Sequence, residues 1–341
     1  MKGTLLLSCM RNQGPFILEW LAWNRMLGFE KILIMHNDCT DRSPQLLRLL
    51  ERHGILAAKR HQPEPKQTPL GSAYRAARSH PYVKSCDWMF SCDVDEFLVI
   101  RKGKGTIDEL IGNGAENRFR GMAIHWLIFG TGDEDQWEDR FVHQRFLNCA
   151  PEKARQNNCV KSFVYKPLDF GTLESHTPRF WRGDGAWYTG ANQWVLSDES
   201  WFEDYHPTKK SMNSTDPKLI THTVAHLNHY ILLTKEQFEF KKGSPSPAAS
   251  INRYTDDFFN RFDHTSVSNQ SALAFKDRFD AQYAQLVEIP GVLRLHHLCC
   301  ADLIEAMCAK RGDDHRKDPR FEFHMDNARS LPTPGTNKVG T

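Results

Sequence analysis

Residues 87–100, DWMFSCDVDEFLVI, interrupt an apolar run with three carboxylates, at Asp93, Asp95 and Glu96. The apolar residues on either side are typical of a buried strand. Like charges this close are costly in a low-dielectric setting unless a cation, a basic side chain or solvent neutralises them. The interruption therefore indicates either a strand that ends at a ligand-binding edge or a solvated turn between two strand halves.

The residues before this stretch alternate predicted strands with predicted helices. GTLLLSCM, EKILIMHND and ILAAKRH are apolar runs of strand length, and the segments after the first two carry helical spacing. This alternation predicts an α/β fold with a mostly parallel, doubly wound sheet, which binds ligands beyond the carboxyl ends of its strands. Asn12, Asn37 with Asp38, and Asp93 with Asp95 follow three of the strands, so we expect these polar clusters to converge on one edge.

Composition places the chain among globular proteins and argues against nucleic acid as a partner. The chain has 341 residues, 40% of them hydrophobic and 25% charged, with a formal net charge of +2 and a pI near 8.1. Individual basic residues must therefore carry any anion binding. The nine cysteines include no CxxC pair, which predicts free thiols in a reducing compartment rather than a zinc cluster with closely spaced ligand pairs.

The sequence predicts a cytoplasmic protein that starts at Met1. No apolar run approaches the roughly 20 residues that cross a bilayer, and MKGTLLLSCMRN lacks the long apolar core and the cleavage site of a signal peptide. We therefore expect no transmembrane segment, while peripheral contact with a membrane stays open.

The paired aspartates have the spacing of a divalent-metal motif. Asp93 and Asp95, at i and i+2 near a strand end, can both turn toward one cation, and a diphosphate can supply further oxygens to a six-coordinate Mg²⁺ or Mn²⁺. A bare D-x-D is common, and a solvated turn is the alternative. The position at the ligand-binding edge of the sheet favours the metal site.

An ordered series of segments resembles a known family. CMRNQGPFILEWLAWNRMLGFEKILIMHNDCTDRS and DWMFSCDVDEFLVI are followed by AIHWLIFGTG, VKSFVYKP, SHTPR and LNHYILLTKEQFEFKKG, over roughly residues 3–243. Together they resemble the family-2-like glycosyltransferases of the GT-A fold, closest to the bacterial branch related to glycosyltransferase family 92. The resemblance implies a GT-A (Rossmann-like) central sheet flanked by helices. It also implies transfer of a sugar from a nucleotide diphosphate sugar to the hydroxyl of a saccharide or glycoconjugate acceptor, with inversion, in the synthesis of surface polysaccharide or glycoconjugates.

The same resemblance assigns metal ligands. It implies Mn²⁺ or Mg²⁺ on Asp93 and Asp95, with a third ligand from a histidine in the second half of the chain. His176 in SHTPR is the predicted metal ligand, and His229 in HLNHY is predicted to contact the phosphate or the acceptor. His226 is the alternative within the same segment, and an ordinary hydrogen-bonded histidine is the alternative for each.

Residues after the first two strands are candidates for nucleotide binding. By the family analogy Asp38 and Asp41 flank the base and ribose, and turn formation with helix capping is the alternative, which is stronger for Asp41 than for Asp38. Arg11, beside Asn12, is predicted to meet a base carbonyl or a phosphate, and a surface ion pair is its alternative.

Two lysines are further candidates for the diphosphate. Lys161 lies in the VKS strand, and Lys241 lies beside the loop GSPSPAAS of residues 243–250, for which a lid and a surface linker are the two alternatives. If both lysines are instead solvated at the surface, they have no role in binding the diphosphate.

An inverting transferase also needs a carboxylate base within reach of the acceptor hydroxyl. FGTGDEDQ places Asp133, Glu134 and Asp135 in a loop after a predicted strand, on the expected acceptor side. One of these three is the predicted base, and a merely solvated loop is the alternative.

Three regions are predicted along the chain. Residues 1–242 form the GT-A glycosyltransferase domain, residues 243–310 a helical C-terminal extension packed on it, and residues 311–341 a flexible tail. Two other functions compete with sugar transfer. One is a metal-dependent nucleotidyltransferase or phosphoesterase, and the other is a non-catalytic nucleotide-sugar-binding module, against which the intact Asp93 and Asp95 argue.

Overall fold

A computed structural model describes residues 3–63, 66–112, 118–208, 210, 212–246 and 252–333. The strands within these residues are β1 (Thr4–Met10), β2 (Lys31–His36), β3 (Ala57–Arg60), β4 (Trp88–Ser91), β5 (Glu96–Ile100), β6 (Gly121–Ile128), β7 (Asn148–Cys149), β8 (Val160–Tyr165), β9 (Phe170–Thr172), β10 (Arg179–Trp181), β11 (Trp194–Leu196), β12 (Ala225–His229) and β13 (Val267–Ser268). The helices are α1 (Ile17–Leu27), α2 (Ser43–Arg52), α3 (Pro69–Ala77), α4 (Pro81–Ser85), α5 (Ile107–Ile111), α6 (Val142–Arg145), α7 (Lys235–Lys241), α8 (Asp256–Phe262), α9 (Lys276–Val287), α10 (Val292–Arg311) and α11 (Pro319–Ser330).

The central sheet has the order β3-β2-β1-β4-β8-β6-β12-β5, and β11 also pairs with β6. β1 pairs in parallel with β2 and β4, β2 with β3, and β6 with β11 and β12, whereas β8 and β5 run antiparallel to their neighbours. The predicted α/β fold with a mostly parallel central sheet flanked by helices is confirmed.

Alternating residues of β1 explain why helices cover both faces of the sheet. Leu6 packs with residues of α1 and α2 in one core cluster, while Leu5 and Leu7 pack with residues of α3 and α4 in another. Successive side chains of a strand point to opposite faces, so the apolar run of β1 has a partner layer on each side. Gly28 ends α1 in the left-handed conformation, with φ of 98°, as expected for a glycine at this position.

The sheet curls between β4 and β5. β4 and β5 are consecutive in the chain, yet they lie four strand spacings apart in the sheet order. In a flat sheet these spacings would add up to about 19 Å. Residues Ser91 to Glu96 span at most about 17 Å when fully extended, and a turn in which Glu96 N donates to Asp93 O at 3.1 Å shortens them further. The segment is therefore not one interrupted strand but two strands joined by a turn, and the curl brings β5 back toward β4.

The C-terminal helices close one face of the sheet. α9 packs on α1, and α10 packs on α2 and on α11. Phe279, Leu286 and Val292 belong to the same buried cluster as the core of α1 and α2. The division into residues 1–242 and 243–310 stays a prediction.

The prediction of a flexible tail from residue 311 onward is wrong for residues 319–330, which form α11. Asp318 caps this helix by accepting from Arg320 N, and Pro319 takes the first helical position. His324 and Ala328 are buried against α10. Residues 334–341, the rest of the predicted tail, and residues 247–250 of the predicted lid or linker lie outside the described residues.

Two expectations from composition can be compared with the structure. None of the nine cysteines is in a disulfide bond. Among the helices that the structure describes, none is long and apolar enough to cross a membrane.

Candidate active site

The topology gathers the predicted site residues at one edge of the sheet. β1, β2, β4, β6 and β12 run in the same direction, so the residues that follow them lie along the same edge. The polar clusters after β1 and β2 touch each other, since Asn12 Nδ2 donates to Thr40 Oγ1 at 3.0 Å and Thr40 N donates to Asn12 Oδ1 at 2.8 Å. Asp93 and Asp95 follow β4 in the turn toward β5.

A buried lysine is the partner of two of the three acidic side chains that interrupt the apolar run of residues 87–100. Lys161 Nζ donates to Asp93 Oδ2 at 2.7 Å and lies 3.1 Å from Glu96 Oε2. Neither Lys161 nor Glu96 is exposed, whereas 38% of the Asp93 side chain is exposed. Glu96 Oε2 also accepts from Asp93 N at 2.8 Å, which closes the turn. Lys161 was predicted at this site, but as a ligand contact, and the structure gives it a second role as the partner of two carboxylates.

The pKa values follow from this burial. Burial works to raise the pKa of Asp93, but the Lys161 ammonium outweighs it and the pKa of Asp93 is lowered. Burial raises the pKa of Glu96 to about 8 against the lowering effect of Lys161, and the charges of Asp93 and Asp95 raise it further. Burial lowers the pKa of Lys161, yet the charges of Asp93 and Glu96 leave it well above its ordinary value. Below pH 8 the group therefore carries one ammonium, one carboxylate and one neutral acid.

Asp95 faces a histidine and a lysine from the second half of the chain. His229 Nε2 lies 3.8 Å from Asp95 Oδ1, and 25% of the Asp95 side chain is exposed. Burial raises the pKa of Asp95, and the nearby charge of Lys241 opposes this shift. The His229 Nδ1 atom is buried and has no hydrogen-bond partner among the described residues. The structure thus brings Asp95, His229 and Lys241 together.

His176 is oriented through its other ring nitrogen. His176 Nδ1 lies 2.7 Å from the carbonyl oxygen of Val160, which leaves Nε2 as the acceptor nitrogen if Nδ1 carries the proton. Burial lowers the pKa of His176 to about 4, and the charge of Lys161 adds to this shift, so the ring is neutral at pH 7. The ring of Trp126 lies 5.7 Å from His176 and 4.2 Å from His229, centroid to centroid. His226, three residues before His229 on β12, packs instead beside His222 and Ser271.

The donors fit a divalent cation that takes part of its ligands from a substrate. The side chains of Asp93 and Asp95 are partly exposed, and Mg²⁺ and Mn²⁺ are commonly bound by one or two carboxylates together with phosphate oxygens and water. Among the residues that the structure describes, no group of three ligand atoms within 4.8 Å of one another includes Asp93 or Asp95. The protein therefore does not enclose a cation at this edge by itself. The assignment of Asp93, Asp95 and His176 as metal ligands stays a prediction.

The two aspartates after β2 differ. Asp41 accepts from Ser43 N at 3.1 Å, from Ser43 Oγ at 2.6 Å and from Gly14 N at 3.3 Å, so its carboxylate organises the start of α2. Asp38 is exposed at the edge, with φ of 45°, and accepts from Asn37 Nδ2 at 3.0 Å. These contacts favour the capping alternative for Asp41, whereas Asp38 and the exposed Arg11 keep side chains that a nucleotide can reach.

The three acidic residues after β6 are also unequal. Glu134 Oε2 accepts from Arg145 Nη2 at 2.5 Å, and Asp135 Oδ1 lies 2.8 Å from Lys235 Nζ. Asp133 is exposed and has φ of 64°, in the left-handed region. Two of the three predicted bases are thus engaged in ion pairs with named basic partners.

A cavity of about 520 Å³ opens beside this edge, and His176 is part of its wall. Arg75 on α3, Arg78 directly after α3 and Arg179 on β10 also line it. Sequence reasoning missed these arginines and also Arg253, whose charge acts on the pKa of both His176 and His229. The three-residue spacing of Arg75 and Arg78 was a weak signal, while no sequence pattern connects Arg179 or Arg253 with the edge.

This edge combines paired carboxylates with histidines and cationic side chains beside a roomy cavity, and the domain that carries it is of the glycosyltransferase class. The chain belongs to glycosyltransferase family 92, whose model matches residues 6–258. The predicted family is confirmed.

Relatives of known name agree with this assignment. A glycosyltransferase family 92 protein of Oryza sativa subsp. japonica is 27% identical over 104 residues, which are 30% of this chain and 17% of that protein. One of Arabidopsis thaliana is 30% identical over 86 residues, 25% of this chain and 14% of that protein. The alignments thus cover less than a fifth of these relatives. Among solved structures, residues 1–349 of S. aureus TarS align with a TM-score of 0.33 and 11% identity, over 96% of this chain and 91% of that one.

Proposed function

We propose that this protein transfers a sugar from a nucleotide diphosphate sugar to an acceptor hydroxyl in a reaction that depends on Mn²⁺ or Mg²⁺. The observation that carries the proposal is the pair of partly exposed carboxylates, Asp93 and Asp95, at the carboxyl edge of the sheet in a family 92 domain. The cation, when bound there, would neutralise the negative charge that develops on the leaving nucleoside diphosphate.

The side chains around the aspartates support a role in holding a diphosphate. Lys161 fixes Asp93 through the carboxylate oxygen Oδ2, while Lys241 lies close enough to Asp95 to oppose the rise in its pKa. Arginines in the wall of the adjacent cavity offer further donors of the kind that phosphate oxygens accept. Asp38 and Arg11, exposed after β2 and β1, are in our proposal the contacts to the nucleoside.

Donor turnover is the test of this function. We expect a panel of nucleotide sugars with Mn²⁺ to contain one that releases nucleoside diphosphate, and we expect Asp95→Asn to reduce the rate at least about 100-fold without loss of stability. Asp87→Asn is the matched control, because Asp87 precedes β4 at the opposite edge of the sheet. Release of pyrophosphate would identify a nucleotidyltransferase, release of inorganic phosphate a phosphoesterase, and binding without any release a non-catalytic module.

We propose further that Asp133 is the base that removes the proton from the acceptor hydroxyl. Glu134 and Asp135 pair with Arg145 and Lys235, and such pairing keeps a carboxylate ionised but occupies its oxygens. Asp133→Asn should lower kcat at least about 100-fold with little change in donor KM, whereas Asp135→Asn should keep most of the activity. The opposite ranking of these two variants would assign the base to Asp135.

Inversion and the pathway belong to the same proposal. A single displacement by the activated acceptor inverts the anomeric carbon, and we propose saccharides or glycoconjugates of the cell surface as the acceptors. Proton NMR of the first product formed would show the anomeric configuration. Retention of configuration would contradict the single displacement and with it the need for a base at Asp133.

A further inference from the structure

A second group of metal-binding side chains lies where the C-terminal helices meet the loop before α6. Asp139 comes from this loop, His296, His297 and Cys300 come from α10, and His324 comes from α11. We call these five residues the Asp139 cluster. It contains none of the residues predicted for the metal at the sheet edge, and four of its members lie beyond the segment that matches the family model.

Three members of the cluster converge on one point. His296 Nε2 lies 3.0 Å from both carboxylate oxygens of Asp139 and 3.6 Å from Cys300 Sγ. His296 and Cys300 are four residues apart on α10, so their side chains share one face of the helix. Cys300 is fully buried, His296 is 4% exposed, and the Asp139 side chain is 29% exposed. A thiol, an imidazole and a carboxylate thus meet at a largely buried position with one open side.

These separations are close to those in a tetrahedral zinc site. Bonds of about 2.3 Å to sulfur and about 2.05 Å to nitrogen place the two ligand atoms about 3.5 Å apart when the coordination is tetrahedral. Nitrogen, sulfur and carboxylate oxygen are together the ligands of Zn²⁺, whereas Mg²⁺ and Ca²⁺ prefer oxygen alone. We propose that Asp139, His296 and Cys300 bind Zn²⁺.

The open side of the cluster provides room for a fourth ligand. A cavity of about 20 Å³ is lined by Asp139 and His296, together with Glu19, Trp137 and Tyr283. This volume suffices for one water molecule, which needs roughly 10–15 Å³. Three protein ligands and a water complete four-coordinate zinc. Binding displaces the proton of the Cys300 thiol to solvent, and coordination through Nε2 of His296 leaves a ring proton on Nδ1.

His297 and His324 form the neighbouring part of the cluster. Their Nδ1 atoms lie 2.9 Å apart, and with Asp139 they make a second group of three ligand atoms within 4.8 Å of one another. We assign the ion to the cysteine-containing group because the thiolate is the strongest zinc ligand of the five and is the most deeply buried. In this assignment the His297–His324 pair joins α10 to α11 and stands beside the ion.

The position of the ion implies a role for it. Asp139 lies four residues beyond Asp135 in the acidic loop, and α10 carries the other two ligands. Zn²⁺ would therefore tie the C-terminal helices to the loop that bears the candidate base. Because binding free energy adds to the folded state alone, the ion would stabilise this junction.

Cobalt substitution in the full-length protein tests the site directly. After treatment with a chelator under reducing conditions, we expect the protein to bind one equivalent of Co²⁺ with an intense thiolate-to-metal absorption in the near ultraviolet. Excess Zn²⁺ should abolish this absorption and raise Tm by about 5 °C or more. Cys300→Ser and Asp139→Asn should each lose the absorption and at least about 100-fold in Zn²⁺ affinity.

The controls lie within the same two helices. Cys308→Ser removes another buried thiol of α10 and should keep the absorption, and His324→Ala should keep it as well. Circular dichroism checks that each variant is folded. If Cys300→Ser does not fold, Asp139→Asn is the variant that tests the site. The proposal is overturned if the wild type binds no Co²⁺, if Cys308→Ser abolishes the absorption, or if binding survives Cys300→Ser and Asp139→Asn but not His324→Ala.

Discussion

At Asp93 a carboxylate is held by the ammonium of a fully buried lysine, whereas at Asp139 a carboxylate is held by the imidazole ring of His296 beside a thiol. An ammonium group has no lone pair, so Lys161 neutralises Asp93 but adds nothing that could bind a cation. Imidazole and thiolate do have lone pairs, and the Asp139 cluster can therefore surround an ion by itself. The comparison therefore predicts two kinds of metal binding in one chain. A cation at Asp93 needs the phosphates of a substrate as further ligands, whereas an ion in the Asp139 cluster does not.

Removal of Lys161 tests the part of this comparison that concerns Asp93 and should have the largest effect on stability. Lys161→Met leaves a buried Glu96 beside Asp93 with no cation, and we expect the free energy of unfolding to fall by about 3–5 kcal/mol. Urea denaturation measures this loss. Asp139→Asn, in the metal-free protein, should cost only about 1 kcal/mol, because the His296 ring can still hydrogen-bond to the amide.

Two further variants make this result specific. Lys84→Met, at an exposed lysine, is the control for the loss of a lysine as such and should be neutral. Addition of Glu96→Gln to Lys161→Met should recover part of the loss, since it removes one of the unpaired acids. Equal costs for Lys161→Met and Asp139→Asn would show that the two carboxylates are neutralised alike.

The pH dependence of stability sharpens the comparison at Glu96. Its pKa in the folded protein is about 8, above the ordinary value of 4.5, so the folded state binds a proton more tightly than the unfolded state does. The stability that this proton contributes is complete below about pH 4.5 and is lost as the pH rises toward 8, by up to about 1.4 kcal/mol per pH unit. Glu96→Gln should flatten the curve of unfolding free energy over this range. An unchanged slope in the variant would contradict the raised pKa.

The smallest expected effect comes from two tryptophans of α1, one bonded to the turn of the paired aspartates and the other to β5. Trp20 Nε1 donates to Asp93 O at 3.0 Å, and Trp23 Nε1 donates to Leu98 O at 2.9 Å, both from the buried face of α1. Trp20→Phe and Trp23→Phe should each cost about 1–2 kcal/mol in stability. Donor turnover should fall only for Trp20→Phe, because of the two indole hydrogen bonds only that of Trp20 reaches the turn of the paired aspartates. Equal turnover in both variants would mean that the turn needs no support from α1.

Local pattern was sufficient to predict much of the fold and the position of the aspartates. Strands and helices alternate clearly before residue 100, and the carboxyl ends of parallel strands share one edge, so Asp38, Asp93 and Asp95 could be placed together before the structure was known. The same pattern made β4 and β5 look like one strand. Their separation depends on pairing of β5 with β12, more than 120 residues later, and no local signal contains that information.

Side-chain partners were harder to predict than positions. Lys161 lies within the apolar run VKSFVY, which indicates that its ammonium has a buried partner. Which acids it contacts depends on the curl of the sheet. For the tail, the polar composition led to the prediction of flexibility. The sequence nevertheless contains a helix start at Asp318 and Pro319 and the apolar spacing that buries Ala328. The Asp139 cluster joins a loop to residues about 160 to 185 positions later, and only the folded chain brings them together.

The curl between β4 and β5 also orders events during synthesis of the chain. β5 leaves the ribosome soon after β4, yet in the described chain its hydrogen-bonded neighbour is β12, which is made more than a hundred residues later. Lys161 likewise appears on β8 only after both of its acids. A nascent chain that has reached residue 220 therefore exposes β5 as an open edge, a surface that recruits other strands and that chaperones protect. The paired aspartates are translated early, but they reach their working geometry among the last parts of the domain to form.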